Sequence, residues 1–567
     1  MNKKIIIRTL EKIALYMELK GENPFKVSAF RKAAQALELD QRSLDEIDDV
    51  TKLKGIGKGT GDVILDLMEN GKSSVLEELQ EEVPKGLVPL MKLQGMGGKK
   101  IAKLYKELGI DSAESLKQAC LDHQIQKLPG FGPKSEEKIL KELMEFDSKP
   151  GRHPIWKTEE AVEFINGVLS GIEEVSEYSV AGSYRRTKET SKDLDFIVAT
   201  AQPAIVKEQL LDALPIQETI ASGDTKVSVT VEFQDPIDID FRLVAPEEFV
   251  TALHHFTGSK DHNVKMRQLA KSQNKKISEY GVEQEDGTVA TFASEADFYA
   301  HFGLPFIPPT VREDGRELDL LDDIPKLVDL ADIQGDMHMH TTWSDGAHSL
   351  TEMIDACRAH NYNYMVITDH SEYLKVANGL TPERLLKQNA EIRELNEKYD
   401  DIEVLSGTEM DILPDGTLDF DDSVLEQLDF VIASIHSSFQ QPQEQIMARL
   451  LTAMKNPHVD MIAHPTGRIV GQRGGYDPDM EQLLDWAKEY GKIVELNASP
   501  YRLDLAVEHL EMAQEKGVPV AINTDAHAIE QLDVMAIGVR HAQKAWLKKD
   551  NVVNTWPFEK LKEYLKK

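Results

Sequence analysis

Nine side chains able to bind a divalent metal punctuate the chain between positions 338 and 527, and each stands near the end of an apolar run. His338, His340 and Asp345 lie in GDMHMHTTWSDG, His370 in VITDHS and Glu409 in VLSGTEMDI. His436 follows in FVIASIHSS, His464 in MIAHPTGR, and Asp525 with His527 in VAINTDAH. The apolar runs at 365–368, 429–434, 461–463, 493–496 and 520–522 read as buried strands, with room for helices between them. That alternation predicts parallel β/α units. In a barrel of such units the C-terminal strand ends converge on one face, so ligands distant in sequence meet in space.

Neutral imidazole and carboxylate suit zinc, manganese or iron(II). Nine ligands are too many for one ion and match two or three that share bridging carboxylates. Clustered ions of this kind activate a water and clamp both oxygens of a phosphoester displacement. Any one of these histidines, taken alone, reads better as a core or surface residue. The recurrence of His-x-His, Thr-Asp-His and Asp-Ala-His in one half of the chain favours the metal reading. That half contains no G-x-S-x-G nucleophile elbow. From about residue 333 to the C-terminus, the motifs resemble the PHP family of metal-dependent phosphoesterases. The resemblance implies a distorted β/α barrel with a trinuclear centre. It carries the nine ligand positions onto His338, His340, Asp345, His370, Glu409, His436, His464, Asp525 and His527. Arg468, four residues after His464, reads either as a phosphate clamp or as an ordinary surface arginine.

At 567 residues the chain is too long for one core. Its two cysteines, Cys120 and Cys357, form no framework and point to a reducing cytosol. No apolar run is long enough to cross a bilayer, and the N-terminus MNKKIIIRTLEKIA does not resemble a secretory signal. The net charge of −33 argues superficially against nucleic acid. Acids and bases nearly balance over residues 1–150, however, and bound cations would offset acid locally in the rest. DNA contact is therefore expected mainly in the N-terminal half, through backbone amides and a few arginines.

A short pattern recurs three times in that half. It reads LKGIGKGTGDVI from Leu53, LQGMGGKKIAKL from Leu93 and LPGFGPKSEEKIL from Leu128. The paired glycines (Gly55 and Gly57, Gly95 and Gly97, Gly130 and Gly132) permit tight geometry and close backbone approach. The helix that follows offers free N–H groups at its N-terminus, an anion site. The motif resembles the helix-hairpin-helix, which grips DNA phosphates without reading bases. The resemblance further implies a sodium or potassium ion on the hairpin carbonyls, here Thr51, Leu53 and Ile56, and Met91, Leu93 and Met96.

A second constellation lies mid-chain, in VAGSYRRTKETSKDLDFIVA from Val180. On a strand, Asp193 and Asp195 project from one face. Asp240, in VEFQDPIDIDFRLV, supplies a third carboxylate from another alternating strand. Three such groups can hold two magnesium or manganese ions on a triphosphate. Gly182 and Ser183 permit close approach of phosphates, and Arg185 or Arg186 offsets their charge. Over residues 1–315 the chain resembles family X DNA polymerases, relatives of polymerase beta; the helix in ENPFKVSAFRKAAQAL, from Glu22, fits that family's N-terminal domain. The resemblance makes Asp193, Asp195 and Asp240 the catalytic ligands, and Ser183, Arg186 and Arg152 triphosphate contacts. In HFTGSKDHNVKMRQLA it places His255, Phe256 and Gly258 by the incoming sugar, Asn263 at the base edge and Arg267 on the template. Arg242 matches the arginine that follows the third aspartate.

Four positions depart from the family pattern, among them Gly59 in place of a lysine. His255-Phe256 replaces the usual Tyr-Phe steric gate, and Lys192 replaces a common glycine. Val63 stands where relatives with lyase activity carry a Schiff-base lysine, so that chemistry is not expected.

The expected architecture is multidomain: all-α hairpin units at 1–85 and 86–150, an α+β nucleotidyltransferase palm at 151–243, a thumb at 244–315, a linker at 316–332 and the PHP barrel at 333–567. The expected activity is short-gap filling in base excision repair, on gapped or primer-template DNA with deoxynucleoside triphosphates, by a cytoplasmic monomer. A 3′-5′ exonuclease or 3′-end phosphoesterase accompanies it, with abasic-site cleavage as an extension. The alternative is a DNA-targeted phosphoesterase whose first half binds DNA without polymerising.

Overall fold

Residues 3–39, 47, 49–84, 86–91, 96–147, 152–233 and 235–565 are described by the computed structural model. The chain divides into an N-terminal helical unit, residues 1–150, and a larger unit holding nearly all that follows.

In the first unit, helix Pro24–Leu39 buries Phe30, Ala33, Ala34 and Leu37, spaced to line one face, against Ile6, Leu10 and Ile13 of helix Lys3–Lys20. The first and third glycine repeats are built alike. A 3-10 turn (Val50–Lys52; Ile125–Lys127) leads to a leucine whose carbonyl accepts from the residue three on, Leu53 from Ile56 and Leu128 from Phe131, each at 3.0 Å. A long helix follows, Lys58–Asn70 or Pro133–Asp147. Gly55 has φ +111°, and a β-carbon there would crowd the Lys32 carbonyl at 3.3 Å, so the turn requires glycine. In the second repeat Gly97 caps helix Gly98–Leu108 and Met96 is buried, whereas Leu93 and Gly95 lie outside the described residues. Val63 packs in the helical core, so no nucleophile occupies that position.

The larger unit begins with a five-stranded palm sheet: β1 (Glu177–Val180), β2 (Asp193–Ala199), β3 (Ile216–Ser222), β4 (Lys226–Val231) and β5 (Ile237–Val244), in the order β1-β2-β5-β4-β3. β2 and β5 run parallel at its centre. Their alternate residues Leu194, Phe196, Ile239 and Phe241 are buried against helices Ile155–Ser170 and Pro203–Ala213, which frees the intervening acids for the other face. Helices Phe249–Thr257 and Lys260–Ser272, a small three-stranded sheet and helix Glu295–Ala300 form the thumb.

The segment GLPFIPPTVREDGRELD from Gly303, whose proline and charge suggest a linker, and the stretch that continues it to 332 are packed. Ile324 and Leu327 join the thumb core with Trp546, and Val328 enters the barrel core. Their charges have buried partners: Glu317 lies 2.6 Å from His262, and nearby Arg312 pairs with Glu295 at 2.7 Å.

Seven parallel strands follow in sequence order: β6 (Gly335–Asp336), β7 (Tyr364–Ile367), β8 (Glu403–Asp411), β9 (Phe430–Ser434), β10 (Met461–Ile462), β11 (Ile493–Asn497) and β12 (Val520–Asn523). A bridge between Met339 and Ala526 closes the ring. Alternation sorts the side chains. Tyr364, Val366, Leu405, Phe430, Ile432, Met461, Ile493 and Ala521 fill the interior with Trp556 and Leu561 of the C-terminal segment. Their neighbours Met365, Ile367, Met410, Val431, Ala433, Val494, Leu496 and Ile522 pack outward on the helices. In chain order the result is helix-hairpin-helix units, an α+β palm and thumb, and a nearly closed β/α barrel.

Candidate active sites

Continuing each inward register beyond the interior layer predicts what lines the mouth of the barrel. Two-residue steps lead from Val366 to His370, from Leu405 to Glu409, from Ile432 to His436 and from Ala521 to Asp525 and His527. His464 breaks the register of Met461 and Ala463 and is turned inward at φ +27°. Glu409 is the hub. Its carboxylate lies 2.9 Å from His464 Nε2, 2.9 Å from His370 Nδ1, 3.1 Å from His436 Nε2 and 3.3 Å from His338 Nε2. His340 Nε2 is 3.1 Å from Asp525 Oδ1, and Asp345 Oδ1 is 3.4 Å from His527 and 3.7 Å from His370.

Three ligand groups result: His340, Asp345, His370 and His527; His338, His340, Glu409 and Asp525; and His370, Glu409 and His436. All nine residues singled out by sequence thus converge, His464 through Glu409. Their donors suit divalent cations. His338 Nε2 and Glu409 Oε2 are buried without a well-formed hydrogen bond although they face one another. Burial opposes the charge on Glu409, yet His436, His338 and His370 hold it well below the usual carboxylate range. Burial, with His370 and His527, pushes His340 down to about 3, which keeps its ring neutral and able to ligate.

Sequence reasoning passed over the groups that orient these ligands. Glu495, inward on β11 in the register of Ile493, accepts from His338 Nδ1 at 2.7 Å, from the His464 amide at 2.7 Å and from Asn523 at 3.0 Å. Asp411 stands 3.1 Å from His436 Nδ1, and Asn497 donates to Asp525 Oδ2 at 3.0 Å. Asp369, beside His370, accepts from the Thr341 and Ser344 hydroxyls. Such partners fix ring orientation and raise ligand basicity. Strand alternation was the available signal for Glu495, Asp411 and Asn497.

Arg468 does not turn into this cluster. Its Nε donates to the Arg502 carbonyl at 3.0 Å, and its Nη2 reaches the Leu503 carbonyl and Glu189 Oε1, the latter at 2.7 Å. Glu189 belongs to the palm, so this guanidinium ties barrel to palm. Trp156 stacks on Tyr501 at the same junction, with ring centroids 4.9 Å apart.

In the palm, Asp195 stands opposite Asp240 in the β2–β5 ladder, and Asp193 shares its face. Burial, Asp193 and Asp240 together raise Asp195 to about 6. Lys226, missed in the sequence, lies 2.6 Å from Asp240 Oδ2. Gly182 has φ +61°, and a β-carbon there would stand 2.4 Å from Asp195 Oδ2. Ser183 donates to Ser191 at 2.9 Å, and Arg152 Nε to Thr190 Oγ1 at 2.9 Å. Arg186 donates to the Thr257 and Gly258 carbonyls at 2.6 and 2.9 Å, which joins the Gly182–Ser183 turn to the thumb. Arg185 is spent on Thr257 and Glu295. Asn263 donates to the His255 carbonyl at 2.8 Å, Arg242 lies over the Phe256 ring at 4.7 Å, and Arg267 is 3.4 Å from His255 Nδ1. These contacts form two sets, one around the Gly182–Ser183 turn and one around His255–Phe256, and Arg186 links the turn to Thr257 and Gly258 beside the second. No helix among the described residues is long and apolar enough to cross a membrane.

Comparison with known proteins follows the same division. Family models match as Helix-hairpin-helix domain over residues 1–73, SAM-like Helix-hairpin-helix tandem over 87–145, DNA polymerase beta thumb over 252–313 and PHP domain over 336–499. A probable phosphatase of Thermoanaerobacter sp. (strain X514) is 32% identical over 242 residues, 41% of this chain and 94% of its own. A probable phosphatase of Caldanaerobacter subterraneus subsp. tengcongensis is 31% identical over 243 residues, 41% of this chain and 90% of its own. The DNA polymerase/3′-5′ exonuclease PolX of Bacillus subtilis (strain 168) is 58% identical over 568 residues, covering 100% of both chains. The chain belongs to the PolX family, in which a polymerase beta-like half is joined to a PHP half.

Proposed function

We propose that this protein extends DNA primers at the palm and removes 3′-terminal nucleotides at the barrel, filling short gaps during base excision repair in the cytoplasm. The observation that carries the reading is the coexistence in one chain of two clusters of metal-capable side chains, Asp193/Asp195/Asp240 on the palm sheet and the Glu409-centred group in the barrel. The three repeats with the glycine pairs Gly55 and Gly57, Gly95 and Gly97, and Gly130 and Gly132 would hold the DNA backbone, with a monovalent cation on the hairpin carbonyls.

At the palm, Asp193, Asp195 and Asp240 would hold two magnesium or manganese ions, whose chemistry is to activate the primer 3′-hydroxyl and to stabilise the departing pyrophosphate. Ser183, Arg152 and Arg186 would orient the triphosphate, with Gly182 leaving space beside Asp195. Phe256 and Gly258 would bound the sugar, Asn263 the base edge, and Arg242 and Arg267 the template side. In the barrel, the nine ligands would hold up to three zinc, manganese or iron(II) ions, which supply an activated water for phosphodiester cleavage. Asn497 and Glu495 would keep Asp525 and His338 aimed at that centre. The same centre would accept 3′-end phosphoesters and abasic sites.

Primer extension and 3′-end degradation on one labelled primer-template test the reading. Asp193→Ala is expected to abolish extension and spare degradation, and His340→Ala to do the reverse. Normal extension by Asp193→Ala would refute the palm assignment.

A further inference from the structure

Arg468 was the guanidinium nearest in sequence to the barrel ligands, but its donors are consumed by Glu189 and the carbonyls of Arg502 and Leu503. What it holds in place is the loop after β11. Asp504 of that loop accepts from the Thr466 amide and gives its carbonyl to the Asn497 amide, and the Tyr501 carbonyl accepts from the Val470 amide at 2.8 Å. The loop is therefore fastened at both ends to segments that carry metal ligands or their supports.

Two side chains project from this fastened loop with unspent capacity. Arg502 Nε lies 3.8 Å from Asp525 Oδ2, and this is its one ion pair among the described residues. Its guanidinium reaches the edge of the ligand cluster yet keeps its other donors for a ligand. Tyr501 is 51% exposed, with one ring face covered by the near-parallel ring of Trp156. Trp156 is itself fixed, since its Nε1 donates to the Val470 carbonyl at 3.1 Å. An exposed aromatic ring, backed by a fixed indole, thus stands on the same fastened loop as a cation beside the metal ligands, the two kinds of group that bind the base and the phosphate of a nucleotide.

We propose that Arg502 and Tyr501 form the terminal-nucleotide subsite of the barrel: Arg502 binds the non-bridging oxygens of the phosphate under attack, and Tyr501 stacks on the base attached to it. The subsite rests on the reading of the barrel as a 3′-end phosphodiesterase. It gives that centre a preference for nucleoside phosphodiesters over simple ones. Guanidinium suits the phosphate because its fork matches two oxygens, and aromatic stacking is indifferent to base identity, as removal of any 3′ nucleotide requires.

Calorimetric titration of the metal-loaded protein with thymidine 5′-monophosphate and with inorganic phosphate tests the subsite. All variants carry Asp193→Ala, so that the palm does not contribute, and ion content is measured in each. Arg502→Gln is expected to weaken both probes about tenfold, and Arg502→Lys to recover part of the loss. Tyr501→Leu should weaken the nucleotide about tenfold and leave phosphate unchanged, whereas Tyr501→Phe should bind both normally. Unaltered phosphate binding by Arg502→Gln, or unaltered nucleotide binding by Tyr501→Leu, at full ion content would overturn the subsite. A separate control isolates the underlying reading: undiminished 3′-end degradation by His340→Ala would refute the phosphodiesterase reading, whatever the binding of the Arg502 and Tyr501 variants.

Discussion

Asp195 and Asp240 stand opposite one another on neighbouring parallel strands, and the Asp195 carboxyl is held near 6 by burial and by its two acidic neighbours. Between the unfolded value near 4 and this raised value, the folded protein binds a proton that the unfolded chain has released. Stability of the metal-free protein therefore falls as pH rises through that window. Asp195→Asn removes the penalty. It should raise the metal-free unfolding free energy at pH 7.5 by up to about 3 kcal/mol, measured by denaturant unfolding in chelator, while abolishing primer extension. In the parent protein, extension at limiting magnesium should decline below about pH 6 and recover with added magnesium, because ion and proton compete for one carboxylate.

Glu495 tests whether the barrel pocket is tuned from behind. It touches no proposed ion, yet it accepts from His338 Nδ1 and from the His464 amide. Glu495→Gln keeps the shape and removes the charge that makes His338 a better ligand. Affinity for zinc or manganese should drop about 10- to 100-fold in competition with a chromogenic chelator, with extension preserved.

The Arg468–Glu189 pair joins the two halves of the larger unit. Arg468→Ala leaves Glu189 beside His541, 4.0 Å away, and strips the Arg502 and Leu503 carbonyls of their donor. A loss of about 1–3 kcal/mol is expected, seen as a lower thermal midpoint. Although burial opposes it, Arg468 holds Glu189 below the usual carboxylate range. The parent protein should therefore lose this contribution as pH falls through the depressed value, and Arg468→Ala should show a flatter acid limb.

The barrel was legible because ligand chemistry and strand periodicity coincide: Glu409 and His370 lie in the inward register of Leu405 and Val366. The same register carried the signal for Glu495, which escaped notice because it lies within an apolar run. His464 could be recognised by type but not by register, since a left-handed backbone turns it inward. The segment around Arg312 and Glu317 misled in the opposite sense. Proline and charge resemble a linker until partners such as Glu295 and His262 are seen, and those contacts are long-range. Arg468 shows the same limit: position four residues after a ligand indicates proximity, whereas the direction of a guanidinium depends on carbonyls and carboxylates supplied by other segments.

The account stands most directly on Glu409, which meets His338, His370, His436 and His464 and belongs to two of the three ligand groups. Plasma mass spectrometry of the parent and of Glu409→Gln, with 3′-end degradation and primer extension followed on the same samples, measures this. The parent should hold up to three ions in the barrel, and Glu409→Gln should lose most of them together with degradation while extending primers normally. A Glu409→Gln protein with its full metal complement and undiminished degradation would contradict the account.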